Sequence, residues 1–252
     1  MRHEKAIWSV VLWCVVFPGY YAIGLHQDPS HAHRLASRID NAIPFNPLWM
    51  WAYAGVYTAL LLPLFVVRCD RLFRRVALAY LGALLVSYVC YLVYPVTTEG
   101  FRPAVETIDT RKFWCWGAAL NFTLDPPMNC FPSLHVATIT LATLAALRAD
   151  RVIGVVALVI AILITVSTLF VKQHYLADVV AGAGLAFVSY AIFIRGYDPM
   201  GQKPEEIRRP RRAFLLYLGL YLFALFGILW PLYMKDVKPW IKTEAVAPVG
   251  SR

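Results

Sequence analysis

Charged side chains are scarce in this 252-residue chain, where Asp, Glu, Lys and Arg together make up 15% of the sequence. Soluble domains average ~25%. Cysteine is also scarce, and five residues are too few for a small domain that is held together by disulfides. Hydrophobic residues make up 60% of the chain, more than a water-soluble fold of this size can bury and too much for an intrinsically disordered chain. The composition therefore predicts a polytopic membrane protein.

Seven stretches of the sequence approach the ~20 residues that a helix needs to cross a bilayer. They are continuously apolar and do not alternate as the strands of a membrane barrel do, so we predict α-helices. Their bounds are Ala6–Leu25, Leu48–Val67, Val76–Tyr94, Ser133–Leu147, Val152–Phe170, Leu176–Ile194 and Ala213–Met234. Residues 1–252 are thus predicted to form one all-α membrane helical bundle, and a cleaved signal peptide is the alternative interpretation of the first stretch.

The distribution of basic residues predicts the orientation of the bundle. An inner N-terminus places 14 of the 24 Lys and Arg residues on the inner side, including the clusters at 68–75 and 195–212. The positive-inside rule favours this arrangement. Anionic membrane lipids then account for the net charge of +9, and no nucleic-acid partner is expected. The loop 95–132 and the starts of the fourth and sixth helices face outward.

Ionisable residues at these outward helix starts are the candidate catalytic groups, because burying them in a membrane is costly. His174 and Asp178 are four residues apart, so on a helix they share one face and the carboxylate can fix the histidine tautomer. His135 lies one turn into the fourth helix, where free N–H groups favour phosphate. Arg102 and Lys172 can add cations for a transferring phosphoryl group. Each residue alone has a structural explanation, such as a helix cap or an interfacial cation, but their joint occurrence favours phosphoryl transfer.

The same residues carry a family resemblance over about residues 95–185. Pro132-Ser133-Leu134-His135 resembles the PSGH motif of the type 2 phosphatidic acid phosphatase and haloperoxidase superfamily. His174-Tyr175-Leu176-Ala177-Asp178 resembles the HxxxD end of its third motif, and Arg102-Pro103 resembles the end of its first. The resemblance implies a six-helix core, to which this chain adds one transmembrane helix, and it places the catalytic core at about residues 76–195.

The resemblance also implies roles for individual residues. His174 would be the nucleophile that forms a phosphohistidine, Asp178 would orient it, and His135 would protonate the leaving group. Ser133 and Arg102 would hold phosphate oxygens. No metal or other cofactor is implied, and the expected substrate is a lipid phosphate or diphosphate.

Three positions depart from the family pattern. Pro95 and Thr168 stand where the family has a Lys and an Arg, and Leu134 replaces the Gly of the second motif. Lys172 is our candidate as a partial substitute for the missing cations. The altered pattern is similar to the branch that contains inositol phosphorylceramide and sphingomyelin synthases, which transfer a phospho-headgroup to an alcohol. The sequence therefore leaves a lipid phosphatase and a phosphotransferase to a lipid or polyol alcohol both open, beside a transporter or assembly protein with an idle site.

Two further features of the outer side lead to weaker hypotheses. Cys115 and Cys130 both lie in the loop 95–132, where an oxidising compartment would allow a disulfide if the membrane is a bacterial inner membrane. The loop after the first helix is rich in metal-ligating residues, but short loops often hold such residues and we expect no metal there. These residues are His26, Asp28, His31 and His33.

Overall fold

The structure is a computed structural model that describes residues 2–198 and 211–240. Within these residues it holds helices and no strand, which confirms the predicted all-α class. A π-helical stretch, Phe223–Leu229, continues the second-last helix into the last one. The α-helices are α1 (Arg2–His26), α2 (Arg38–Ala42), α3 (Met50–Tyr53), α4 (Gly55–Ala59), α5 (Leu62–Val66), α6 (Asp70–Val93), α7 (Phe113–Leu124), α8 (Leu134–Ala149), α9 (Arg151–Phe170), α10 (Leu176–Phe193), α11 (Arg211–Leu222) and α12 (Trp230–Met234).

Five helices in the described ranges are long and apolar enough to cross a membrane. They correspond to the first, third, fifth, sixth and seventh predicted stretches, and their bounds are Lys5–His26, Asp70–Val93, Arg151–Phe170, Leu176–Phe193 and Arg212–Met234. The outer faces of these helices expose large apolar side chains such as Val89, Val159 and Val188, which hydrocarbon rather than water would solvate. The chain is an integral membrane protein. The fourth predicted stretch is the shorter apolar helix α8, of 16 residues.

The prediction of one continuous helix over Leu48–Val67 is wrong. The segment is a run of short helices, α3, α4 and α5, separated by turns at residues 54 and 60–61. Pro63 has no backbone N–H to continue the helical hydrogen bonds, and Gly55 costs helical stability. This broken segment, which stands in place of a straight span, packs against α8, the helix that carries His135.

Two of the predicted connections also contain helix. The loop predicted before the third span is largely helical, because α6 begins at Asp70 and includes Arg71, Arg74 and Arg75. The outer loop 95–132 contains α7, a helix of 12 residues. Residues 199–210, which carry several of the inner basic residues, and the tail 241–252 lie outside the described residues.

Helix α8 occupies the centre of the bundle, where it contacts α6, α9 and α10 as well as the broken segment. Its residues Leu141, Ala142 and Ala145 are fully buried. Asp150 joins α8 to α9 in a single residue and accepts hydrogen bonds from the amides of Val152 (2.9 Å) and Ile153 (3.1 Å). This central position places the first turn of α8, and His135 in it, against the start of α10.

Candidate active site

Two histidines, one in the first turn of α8 and one in the turn before α10, are directly hydrogen-bonded at one end of the bundle. Nδ1 of His135, in the first turn of α8, lies 3.0 Å from Nε2 of His174, in the turn before α10. The rings meet edge to face at a centroid distance of 5.3 Å. The structure therefore brings together two residues that are 39 positions apart in the sequence.

Asp178 fixes which nitrogen of His174 carries the proton. Its Oδ2 lies 3.4 Å from Nδ1 of His174, and both side chains are buried. A carboxylate only accepts hydrogen bonds, so Nδ1 of His174 donates. In the neutral ring, Nε2 then accepts, and Nδ1–H of His135 donates to it. The lone pair on Nε2 of His174 is therefore occupied by the proton of His135 in this structure, and it becomes available as a nucleophile once a substrate displaces this hydrogen bond.

The starts of α8 and α10 are joined by their backbones at the same place. The amide of Ser133 donates to the carbonyl of Asp178 (3.0 Å), and the Ser133 side chain caps α8 by accepting from the amide of Val136 (3.2 Å). Oδ2 of Asp178 also accepts from the amide of Tyr175 (2.9 Å). Ser133 is fully buried, and its position next to Asp178 fixes the separation of the two histidines.

Arg102 contacts the same turn, and its buried Nε donor has no acceptor among the described residues. Its guanidinium donates to the carbonyls of Asp125 (2.8 Å) and Pro126 (3.4 Å) and to Oε1 of Gln173, the neighbour of His174. Nε of Arg102 and Nε2 of Gln173 are buried donors for which the described residues provide no acceptor. Unpaired buried donors are costly, so an anion beside His174 would satisfy both. The sequence analysis assigned no role to Gln173.

Lys172 is engaged elsewhere in the structure. Its ammonium group donates to the carbonyls of Asp40 (2.9 Å) and Ile43 (2.5 Å) and lies 4.3 Å from the centroid of the Phe101 ring. Burial lowers the pKa of Lys172. These bonds attach Lys172 to the end of α2, and among the described residues it forms no hydrogen bond with His135 or His174.

Asp40 makes a second connection between α2 and the histidine turn, and the sequence analysis missed it. Its Oδ1 accepts from the amide of Leu176 (2.7 Å), the first residue of α10. Its Oδ2 accepts from the amide of Ser37 (2.8 Å), in the capping box that begins α2. Asp40 is buried, and these bonds hold the start of α10 against α2. An Asp three residues after a Ser is a sequence signature of such a helix start.

Aromatic side chains surround the exposed side of His135. The rings of Tyr53 and Tyr57 lie edge to face with it, at centroid distances of 5.8 Å and 6.5 Å. A cavity of about 100 Å³ reaches His135, and its lining includes Tyr20, Tyr21, Tyr57, Asp125 and Thr138. Tyr53 and Tyr57 both belong to the broken segment α3–α5. The sequence analysis interpreted this segment as a straight membrane span and assigned no role to either residue.

One group of described residues is close enough to share a metal ion. The ligand atoms of Cys130, His174 and Asp178 lie within 4.8 Å of one another. Burial raises the pKa of the Cys130 thiol to about 12. Its Sγ donates to the carbonyl of Pro127 (3.4 Å), so in this structure Cys130 is a protonated thiol that packs beside the His–Asp pair.

The two hypotheses about the outer loops have clear outcomes among the described residues. Cys115 and Cys130 are both free thiols, so the proposed disulfide is not formed. His26, Asp28, His31 and His33 do not form a group of potential metal ligands. His33 stacks on Tyr94 instead, at a centroid distance of 4.1 Å, and His31 pairs with Asp28 at the surface.

Comparison with known proteins supports a phosphoryl-transfer reading of this geometry. A family model described as the PAP2 superfamily matches residues 20–192, more than half of the chain. The matched residues include Arg102, Ser133, His135, His174 and Asp178. The comparisons with curated proteins and with solved structures gave no match.

Proposed function

We propose that this chain, which belongs to the PAP2 superfamily, is a membrane lipid phosphatase that acts on a lipid phosphate or diphosphate through a phosphohistidine on His174. Membership supports a phosphatase-type or phosphoryl-transfer reaction. The observation that carries the finer proposal is the contact between His135 and His174, because the tautomers that Asp178 imposes match an acid and a nucleophile.

In the first step Nε2 of His174 attacks phosphorus in line with the bond to the lipid oxygen. Substrate first displaces the hydrogen bond between the two rings. The P–N bond forms, the P–O bond breaks, and His135, in its imidazolium form, gives the Nδ1 proton to the departing oxygen and is left neutral. Asp178 accepts the hydrogen bond from Nδ1–H of His174 and stabilises the charge that develops on the ring. In the second step water attacks phosphorus, His135 takes the water proton, and inorganic phosphate leaves with His174 restored.

Arg102 and Gln173 are the proposed phosphate contacts, with Ser133 at the start of α8. The two unpaired buried donors, Nε of Arg102 and Nε2 of Gln173, are adjacent through the bond between their side chains. A phosphoryl group would provide the acceptors that they lack. We propose that Lys172, first considered as a phosphate contact, acts by holding the histidine turn against α2.

Transfer to an alcohol is the second candidate function, as in enzymes of the inositol phosphorylceramide synthase type. Two observations favour it. Pro95 and Thr168 replace two phosphate-binding cations of the family pattern, and Thr168 uses its carbonyl to accept from the amides of Gln173 (2.9 Å) and His174 (3.3 Å). His174 is also 4% exposed, so access of water to the phosphohistidine is restricted. The first step is the same, and a lipid or polyol hydroxyl replaces water in the second.

The basic-residue pattern supports an outward-facing site. We propose an integral protein of a bacterial inner membrane whose histidine pair faces the periplasm, where lipid phosphates are the partners of the reaction. Labelling of single-cysteine variants in spheroplasts with a membrane-impermeant maleimide would test the orientation. Labelling at an exposed position of the loop after α1 in intact spheroplasts is expected, and labelling only after lysis would reverse the assignment.

The central experiment follows phosphorus from a labelled lipid extract that is incubated with purified protein in detergent. Wild type is compared with His174→Ala and with His31→Ala, which removes an exposed histidine far from the pair. Release of inorganic phosphate by wild type and His31→Ala alone would establish the phosphatase. Label that moves to a second lipid would establish the transferase, and no turnover of any lipid phosphate would overturn both.

A further inference from the structure

A second cavity, much larger than the one at His135, lies between α7, the broken segment and the C-terminal span Arg212–Met234. Its volume is about 300 Å³, within the range of ~300–1,000 Å³ typical of ligand pockets. Aromatic and aliphatic side chains line most of it, among them Met50, Phe113, Trp114, Leu120, Leu225 and Ile228. A polar ligand would find few partners on these walls.

Two polar groups of this cavity, Tyr57 and Asn121, lie where it adjoins the active site. Tyr57 lines both cavities, and its hydroxyl donates to Oδ1 of Asn121 (2.5 Å). The other side of the Tyr57 ring faces His135. Nδ2 of Asn121 is a buried donor without an acceptor among the described residues. The large cavity therefore has mostly apolar walls and a polar pair, Tyr57 and Asn121, on the side of His135, an arrangement that suits a lipid chain next to its headgroup.

The C-terminal span supplies one wall through an unusual turn. Ala224, Leu225, Ile228 and Leu229 all belong to the π-helical stretch, which widens the helix locally. Such stretches recur at functional sites. Aromatic contacts fix this span to α7, since Phe113 packs on Trp230 at 5.0 Å and on Tyr233 at 5.3 Å between centroids. The span lies beyond the residues that the family model matches.

We propose that this apolar cavity binds the hydrocarbon chain of the lipid phosphate whose headgroup reaches His135, an inference that rests on the proposed function. Tyr57 and Asn121 then mark the boundary between chain and headgroup. The extra C-terminal helix is a specificity element, because without its π-helical wall the cavity would open to the membrane. Substrates with a single long chain that can enter beside Tyr57 are favoured over chainless phosphates.

Gly117 offers a way to fill the cavity without disturbing the fold. It lines the cavity on α7, and a Cβ added there would meet nothing within 4 Å. Gly117→Phe should therefore place its ring in the space of the chain. Gly219, on the exposed side of the C-terminal span, also has nothing within 4 Å of an added Cβ, and Gly219→Phe is the matched control.

The test is photolabelling of the full chain by a long-chain alkyl phosphate with a diazirine near the chain end, followed by peptide mapping. Using the His174→Ala background keeps the probe intact, so the result does not depend on turnover. We expect label on residues 113–124 and 212–234 in the Gly219→Phe control and at least a tenfold loss in Gly117→Phe. Undiminished label in Gly117→Phe, or label only elsewhere, would overturn the proposal.

A phosphate-free alkyl diazirine of the same length distinguishes the substrate chain from a resident membrane lipid. Equal labelling by this neutral probe would mean that any membrane chain enters the cavity, against the proposal. With the catalytic histidine restored, the ratio of kcat/KM for the long-chain phosphate to that for phenyl phosphate should fall at least tenfold in Gly117→Phe. If the proposed function is wrong, wild type would turn over neither substrate, and the labelling pattern would be unchanged.

Discussion

Gly182 of α10 lies directly against the carbonyl of Ser133: a Cβ built on Gly182 would stand 2.3 Å from that oxygen. Glycine is therefore required here for the close approach of two chain segments, one turn along α10 from Asp178. The same approach allows the amide of Ser133 to reach the carbonyl of Asp178. The short distance between α8 and α10, and therefore the contact between His135 and His174, depends on Gly182 having no side chain.

Gly182→Ala should lower both stability and activity. The added methyl must displace the Ser133 carbonyl, and overpacking of this kind costs ~1–3 kcal/mol. Thermal unfolding and turnover of the lipid phosphate would be measured together. Gly184→Ala is the control on the same helix, because a Cβ there meets nothing within 4 Å, and it should be at least as stable as wild type. Equal behaviour of the two variants would contradict the argument.

Removing either histidine or the charge of Asp178 should greatly reduce turnover in a folded protein. His174→Ala removes the proposed nucleophile, and His135→Ala removes the proposed general acid, a kind of group whose contribution is typically ~10²–10⁴-fold. Asp178→Asn disturbs the tautomer that exposes the lone pair on Nε2 of His174. Acid-quenched samples should contain a phosphohistidine in wild type and none in His174→Ala. Near-normal rates in any two of the three variants would refute the assignment.

Arg102 and Lys172 should respond differently to loss of charge. Arg102→Gln removes proposed phosphate contacts and should raise KM about tenfold or more, in line with ~1.5–3 kcal/mol for a charged hydrogen bond. Lys172→Met leaves two carbonyls near α2 without a donor and should lower the melting temperature with a smaller change in KM. A KM raised as much by Lys172→Met as by Arg102→Gln would return Lys172 to the phosphate site.

Asp40 is expected to act as a positioning residue. Asp40→Ala leaves the amide of Leu176 without its acceptor, a loss of ~1–3 kcal/mol for a buried group. Because the start of α10 carries Asp178, kcat should fall while KM changes little, and Asp40→Asn should restore part of kcat by keeping one oxygen. Asp28→Ala, which removes an exposed carboxylate from the loop between α1 and α2, is the control. A purely structural role would lower the melting temperature with no loss of kcat per folded molecule.

The thiol of Cys130 should be inert in the folded protein. Its pKa of about 12 leaves on the order of one thiolate in 10⁴ at pH 8, and only the thiolate reacts with iodoacetamide. Alkylation should begin as the pH rises towards the pKa or when the protein is denatured. Intact mass under non-reducing conditions should show five thiols, since all five cysteines are free. Rapid modification of Cys130 at pH 8 would contradict its buried placement.

The sequence permitted the prediction of the long spans and of the pairing of His174 with Asp178. Apolar length alone identifies a span such as Arg151–Phe170. The pairing was predicted from a shared helix face, whereas His174 lies in the turn before α10 and Asp178 points back to it from the first turn, where its Oδ2 also accepts from the amide of Tyr175. The separation of His135 from His174 did not follow in this way, since it depends on how α8 packs against α10.

The surroundings of the histidines could not be predicted because they depend on irregular backbone. Pro63 and Gly55 interrupt an otherwise apolar run. The run was long enough to be interpreted as a membrane span, and this interpretation gave Tyr57 no place in the site. Lys172 has the left-handed backbone angle φ +57° and turns towards α2, an orientation that residue type alone does not indicate. The charge of Lys172 led to the prediction of a phosphate contact, whereas its ammonium group donates to two backbone carbonyls.

The bonds of Asp178 have a consequence for an enzyme that works in a membrane of varying thickness. Its carboxylate contacts His174, and its carbonyl receives the amide of Ser133 two residues before His135. Any tilt of α10 that follows a change in the bilayer therefore carries the start of α8 with it. The rings of His135 and His174 therefore move together. Their alignment should not change with lipid chain length, even where the tilt of the surrounding helices does change.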